Sequence, residues 1–353
     1  MGVSASLWAP AAHRLARVPT VSIKVLNADL LEVEADVLAV KYAQGFHSSD
    51  GLVADKLHEK GVNRRALEAP ANESRFSPSN GALSAKEVLF LGTVPLSHLG
   101  YHDVRLFGSR SLEVLKQRGG AVRTVAMTVH GANCGLDEGE AVLALAGGLI
   151  DGIQRGQVPP SLQSIVIVEK REGRAKRLHH TLLTKLQGLT GVTFTGDVFK
   201  VERPAGDEAL LKPPTPSLPT HGVASVEQKP HAFVAMPFSP EFEDVFHYGI
   251  QNPVHSAGLL CERVDAAVFE GLIIQRILSR IETAKVVVAE LSGANPNVYL
   301  EVGYAWASKV PTVLLVRDVN ELRFDVKGHR CLVYKTIREL ETLLTSELRA
   351  ALR

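Results

Sequence analysis

The stretch AELSGANPNVYLEVGYA, Ala289–Ala305, sets two carboxylates around one turn with almost no other charge. Glu290 ends the apolar run KVVVAE, and Glu301 falls within an apolar and aromatic helical segment. Gly-Ala-Asn-Pro-Asn between them reads as a tight turn. In an open parallel sheet, ligands bind outside the carboxyl ends of the strands, so both acids can face one crevice. Asn297 is expected to cap the helix, with Pro296 favouring an extended approach. That places Glu301 at the end of the first turn, near the positive end of the helix dipole. Gly293 and Gly303 would leave room for a ligand or for close backbone approach. Two acids in a partly apolar cleft can divide the work, one as nucleophile and the other orienting a sugar hydroxyl or moving protons. A dipole partner in a helix's first turn is the plainer alternative.

The elements that must position these residues alternate clearly in the last third of the chain. Strands are expected at His231–Phe238, Leu259–Asp265, Lys285–Glu290, Val310–Asp318 and His329–Lys335. Helices are expected at Pro240–Gly258, Phe269–Ala284, Asn297–Lys309 and Thr336–Leu352. Continuous apolar strands between helices imply a parallel sheet covered on both faces. Right-handed crossovers make it a doubly wound, flavodoxin-like α/β fold. Met236 and Phe238 then stand at the first strand's end as an apolar wall able to stack a base. Arg263 and Asp265 end the second strand at the same edge; Arg263 suits a phosphate and Asp265 a hydroxyl, unless they form an ordinary surface pair.

The segment RPAGDEALLKPPTPSLPTHGVASVEQKP, residues 203–230, holds six of the chain's 18 prolines and no hydrophobic period. It reads as a stiff linker. The expected organisation is a loose tail at 1–20, an α/β domain at 21–200, the linker at 201–230 and a second domain at 231–353. The complete alternation of the second domain predicts that it folds alone. In the first, Val21–Ala43 gives two strands around a turn, Ala121–Ile153 a strand, a Gly turn and a helix, Leu162–Lys170 a buried strand, and Arg177–Leu186 a helix.

The chain has 353 residues and a net charge of +1, so no broad basic field points to nucleic acid or membrane. The most basic run, EKREGRAKR at Glu169–Arg177, reads either as a solvated helix start or as a phosphate-binding patch. Cys134, Cys261 and Cys331 are widely spaced, with no zinc pattern. The expectation is a reduced, cytoplasmic protein with no metal, no cofactor and no membrane span.

The residues FVAMPFSPEFEDVF, AGLLCERVD and GLIIQRILSRIETAKVVVAELSGANPNVYLEVGYAWASKVPTVLLV together resemble the nucleoside 2-deoxyribosyltransferase superfamily and its nucleotide-hydrolase and TIR-like N-glycosidase relatives. The match covers residues 231–335. Its most specific piece is the turn Asn295-Pro296-Asn297, with a Glu in the next helical turn before Gly-Tyr-Ala. By the resemblance, Glu301 attacks the anomeric carbon and displaces the base. The acid ending the preceding strand is usually Asp and contacts the sugar; Glu290 stands there, one methylene longer. Breaking an N-glycosidic bond develops oxocarbenium character, which a carboxylate stabilises or captures.

The segment IKVLNADLLEVEADVLAVKYA more loosely resembles the first strands of macro domains, which bind ADP-ribose. Over residues of about 22–190 the resemblance implies Asp29 as the adenine contact. The turn in HGANCGLDEGEA, with Gly131 and Gly135, would be the phosphate loop, since a Gly turn opening a helix offers N–H groups to an anion. Lys41–Gly45, KYAQG, stands where those domains carry an Asn-rich loop. His130 reads as a polar strand terminus. The two resemblances imply a nucleotide-handling protein of a kind found among bacterial stress or anti-phage effectors. Its second domain would cleave a nucleoside, nucleotide or NAD, and its first would bind an ADP-ribose-like ligand. A homo-oligomer is compatible with that role. A non-enzymatic nucleotide sensor and a structural protein built on two relic folds are the other readings.

Overall fold

The computed structural model describes residues 19–132, 134–204, 229–264 and 273–352; most of the expected tail, most of the linker and Asp265 lie outside the described residues, while Thr20 already belongs to the first strand and Val201–Glu202 to the eighth, so the first domain overruns both expected edges. The first unit is an eight-stranded mixed sheet. Its strands are β1 Thr20–Asn27, β2 Val37–Tyr42, β3 Ser74–Pro78, β4 Glu87–Gly92, β5 Thr124–Met127, β6 Ser164–Glu169, β7 Val192–Thr195 and β8 Val198–Glu202. The order is β3-β4-β2-β5-β6-β1-β8-β7. The run from β4 to β1 is parallel, and β3 and β8 flank it antiparallel.

Strand β2 shows why this sheet is covered on both faces. Val37 and Ala39 enter one apolar cluster, Leu38 and Val40 the other, as period-two alternation requires. The first cluster is closed by helices α2 Tyr101–Arg118, α3 Glu138–Gln154 and α4 Glu172–Leu186, the second by α1 Ser49–Glu59. Helices α2 and α3 cross very closely: a Cβ on Gly148 would meet the Arg105 carbonyl oxygen at 1.9 Å. Only a glycine fits at this crossing.

The second unit has the expected architecture. Strands β9 His231–Ala235, β10 Leu260–Glu262, β11 Val286–Glu290, β12 Thr312–Val316 and β13 Cys331–Val333 form one parallel sheet in the order β10-β9-β11-β12-β13. This is the flavodoxin-like order. Helix α5 is Asn252–Ser256, preceded by a π-helical turn at Val245–Gln251. Pro253 has no N–H to offer the Gly249 carbonyl, and the chain ahead of it is wound wide. Helices α6 Ile273–Thr283, α7 Pro296–Ala307 and α8 Ile337–Ala351 complete the unit.

The two units share a polar, buried seam. Asp137, the N-cap of α3, accepts hydrogen bonds from the His255 ring at 2.6 Å and from the Cys261 N–H at 3.2 Å. The Tyr101 hydroxyl donates to Glu262 at 3.0 Å and accepts from the Asp137 N–H at 2.8 Å. Leu260 packs into the first unit's core, and Cys134 pairs with Val264 in a single antiparallel bridge. Buried Arg276 donates to the carbonyl oxygens of Cys134 at 2.5 Å, Ser97 at 3.0 Å and Leu99 at 2.8 Å. Arg276→Ala would strand those carbonyls in a dry seam. It should cost about 2–4 kcal/mol of stability in urea denaturation of the full chain. A loss below about 0.5 kcal/mol would show that water replaces the guanidinium freely.

Candidate functional site

A cavity of about 360 Å³ opens at the carboxyl edge of the first sheet. Its wall is built from segments at the carboxyl ends of four adjacent strands: Ala28–Leu30 after β1, Ser48–Asp50 beyond β2, Thr128–Ala132 after β5, and Val168–Arg171 at the end of β6. This is the crevice position expected of a parallel sheet.

Asp29 stands at one end. One carboxylate oxygen accepts the Leu31 N–H at 2.9 Å, which closes a tight local turn. The other takes the exposed Lys170 ammonium at 2.8 Å. Lys170 first, then the Leu31 N–H, holds the carboxyl below its usual range. At the end of β2, the Lys41 ammonium bonds Asp50 at 2.6 Å, with both side chains buried. The second Asp50 oxygen accepts the His47 N–H at 2.9 Å. Ser48 beside it has φ 54°, unusual for a residue with a side chain.

The turn after β5 carries two groups that the fold does not satisfy. Thr128 Oγ1 and His130 Nε2 are buried without a hydrogen-bond partner among the described residues. The His130 ring stands edge-on to Phe107, with centroids 4.6 Å apart. Burial first, then the Lys41 charge, keeps this imidazole well below its ordinary pKa and therefore neutral. Gly131 has φ 92°, and a Cβ there would meet Leu136 Cδ1 at 2.4 Å. The turn thus depends on glycine twice, for its conformation and for its space.

Gly135 is placed otherwise than the sequence suggested. It is not in the cavity wall; its missing side chain makes room for Val264 at 3.0 Å and Arg276 at 3.3 Å across the seam. Asp29 and Gly131 are brought together in one wall, and Gly135 serves the contact between the units.

In the second unit, Asn295, not Asn297, caps α7. Its side chain accepts the Asn297 N–H at 2.9 Å, and Pro296 is the first helical residue. Glu301 therefore sits in the second turn, and no acidic residue occupies the first. The dipole effect fades within the first turn, so it does little for Glu301. Glu301 is partly buried and has no hydrogen-bond or ion-pair partner among the described residues. Burial alone pushes its carboxyl up to about 8, so at neutral pH it is mostly protonated.

Glu290 is fully buried, and both its oxygens are in use. One accepts the Ser292 N–H at 2.9 Å and the other the Tyr334 hydroxyl at 2.8 Å. Burial outweighs these bonds and raises its pKa. Arg263 is buried between two rings, 4.1 Å from the Phe238 centroid and 4.0 Å from that of Phe246. It also touches the sulfur of buried Met236 at 3.7 Å. Met236, Phe238 and Arg263 are thus one packed group. Among the described residues no cluster of three or more His, Cys, Asp or Glu side chains could hold a metal ion, and no helix is long and apolar enough to cross a membrane.

The chain matches no family model and no curated protein. Over about half its length it is similar to solved macrodomain structures. The Oceanobacillus iheyensis macrodomain with ADP is 14% identical, with 48% of this chain and 100% of that one covered and a TM-score of 0.37. A point mutant of the same macrodomain with ADPR is 13% identical, with 48% and 96% covered and a TM-score of 0.38. The Trypanosoma brucei macrodomain in complex with ADP-ribose is 13% identical, with 44% and 67% covered and a TM-score of 0.33.

The state of Glu301 has a measurable consequence. Its carboxyl titrates near 4.5 in an unfolded chain and at about 8 when folded, so the folded protein keeps the proton across that window. The stability this provides is whole below about 4.5 and is lost as pH rises through about 8. Urea denaturation at about pH 5, 7 and 9 should show the wild type weakening relative to Glu301→Gln, which has no proton to lose. Parallel curves for the two proteins would contradict this placement of Glu301.

Proposed function

We propose that the chain is a nucleotide-handling protein whose first unit binds an ADP-ribose-like ligand in the cavity at its strand ends. The observation that carries this reading is the pair of buried, unpartnered groups, Thr128 Oγ1 and His130 Nε2, in the wall of a cavity of about 360 Å³. Native proteins rarely leave such groups unsatisfied, and a polar ligand is a direct way to satisfy them. The volume lies within the range of small-molecule sites. Asp29, whose Lys170 partner is exposed and displaceable, offers a carboxylate to an exocyclic amine. The Gly131 turn offers backbone to a phosphate.

The second unit acts, in this reading, on an N-glycosidic bond of a nucleoside, nucleotide or NAD. The unpartnered Glu301 carboxyl supports it. As the bond to the base breaks, its electron pair leaves with the base and positive charge grows at the sugar carbon. That charge favours ionisation of Glu301. The proton passes to water, and the carboxylate can then capture the carbon. Glu290 contributes by fixing the strand end beside it rather than by touching the sugar. A role as a bacterial stress or anti-phage effector fits such a pairing of modules. If the second unit only recognises its nucleotide, the chain is a sensor.

Two measurements test the reading. In calorimetry on the full chain, ADP-ribose should bind, and Asp29→Ala should weaken it about tenfold or more. Absence of heat with ADP-ribose or NAD at about millimolar concentration would rule out this ligand class. With a panel of nucleosides, nucleotides and NAD, chromatography should show free base from the wild type and a loss of orders of magnitude in Glu301→Gln. Equal release by both proteins would remove Glu301 from the chemistry. No release, together with nucleotide binding that Glu301→Gln weakens, would establish the sensor.

A further inference from the structure

The basic run Glu169–Arg177 does more than start a helix. Arg171 and Arg174 both line the cavity of the first unit. Arg174 is fixed by Glu138 at 3.0 Å and by Glu169, and Arg177 by Glu138 at 2.8 Å. Arg171 is less committed. It stands 3.6 Å from Glu169 and, across the seam, 3.6 Å from Glu243 of the second unit.

Glu243 is the centre of this group. One of its oxygens lies 3.3 Å from Arg263; the other lies 3.5 Å from the His247 ring and 3.6 Å from Arg171. Charge-assisted hydrogen bonds close to about 2.7–2.9 Å when nothing prevents it. Here three nitrogens from two units converge on one carboxylate, at 3.3–3.6 Å. Arg263 cannot follow the carboxylate inward, because its guanidinium is held between Phe238 and Phe246.

We infer that Arg171, His247 and Arg263 form a phosphate-binding seat across the seam, in which the Glu243 carboxylate is the resident stand-in. A phosphate is larger than a carboxylate and has three acceptor oxygens, so it can reach all three donors together. Around the seat, four guanidiniums (Arg171, Arg174, Arg177 and Arg263) meet three carboxylates (Glu138, Glu169 and Glu243), which leaves a positive excess. The His247 hydrogen bond first, with Arg263 and Arg171 behind it, holds the Glu243 carboxyl down at about 2, so the position strongly favours an anion. Glu243 is part-exposed, so its side chain can turn to solvent when displaced. This site goes beyond the cavity reading and shares only Arg171 with it. The phosphate belongs either to a free phosphate compound or to the ligand of the adjoining cavity.

Calorimetry on the full chain, with inorganic pyrophosphate as probe, tests the seat. The wild type should bind it weakly. Glu243→Gln, which keeps the shape and removes the competing charge, should bind about tenfold tighter, and Arg171→Gln about tenfold weaker. Arg171 is half-exposed, so its variant should fold as the wild type does, and circular dichroism checks both. Pyrophosphate affinity unchanged or weakened in Glu243→Gln would overturn the stand-in, as would indifference to Arg171→Gln. The same variants titrated with ADP-ribose separate the sources. A parallel response means that one ligand spans the seam; pyrophosphate responding alone means a separate anion. ADP-ribose binding without any pyrophosphate response would leave the cavity reading standing and remove the seat. A pyrophosphate response without ADP-ribose binding would do the reverse.

Discussion

The fully buried carboxylate of Asp137 organises this molecule. It caps α3 by accepting the N–H groups of Gly139 at 2.9 Å and Glu140 at 3.1 Å. The same group receives His255 and the Cys261 N–H from the second unit. Burial alone would raise its pKa, but His255 and the backbone donors outweigh that, and the carboxyl ends below its ordinary value. Its partner's pKa is raised: burial opposes the imidazolium, and the bond to Asp137 with the charges of Glu140 and Glu138 overcomes that. Lys229 is also paired to Glu140, at 2.9 Å. One helix cap therefore also ties the second unit to the first.

From that cap the geometry propagates to both candidate sites. Glu138, the first residue of α3, aligns Arg174, which reaches the cavity wall. The Gly131–Leu136 turn cannot shift without disturbing the Cys134–Val264 bridge and the Arg276 bonds to Cys134. Arg263 comes directly after β10, the strand that Asp137 holds through Cys261. The seam satisfies its polar groups almost completely, whereas the cavity wall leaves Thr128 and His130 wanting. Glu290 and Glu301 make the same contrast within the second unit. The first is saturated by Ser292 and Tyr334, while the second is desolvated and unpartnered.

Much of the fold is legible in the sequence. All five strands of the second sheet lie within the expected segments, and the three central ones, β9, β11 and β12, are mostly apolar because a strand covered on both faces buries nearly every side chain. In the first unit, β1, β2, β5 and β6, with Asp29 and Gly131 at their ends, are equally readable. Between residues 44 and 120, β4 carries the continuous apolar run Val88–Leu91 and α2 the ordinary helical spacing at Tyr101, Val104, Phe107, Leu112 and Leu115, whereas the short, half-buried β3 carries no such mark. What local pattern does not supply is the seam. Tyr101, Asp137, Glu262 and Arg276 are far apart in sequence, and each reads singly as a surface residue. The cap of α7 lies at Asn295 rather than Asn297 for a local reason: Pro296 favours the first helical position, where its missing N–H costs nothing. Lys41 and Asp50 are illegible as a pair because a buried ion pair between residues nine apart leaves no periodic mark.

A nucleotide bound in the first cavity should be felt by the second unit through the seam. Hydrogen–deuterium exchange on the full chain, with and without ADP-ribose, tests both the binding and the coupling at once. The account predicts slower exchange in the cavity turn at residues 128–136 and also at residues 259–264, the strand that Asp137 and Cys134 tie to that turn. Protection confined to the first unit would contradict the coupling, and unchanged exchange throughout would contradict the ligand.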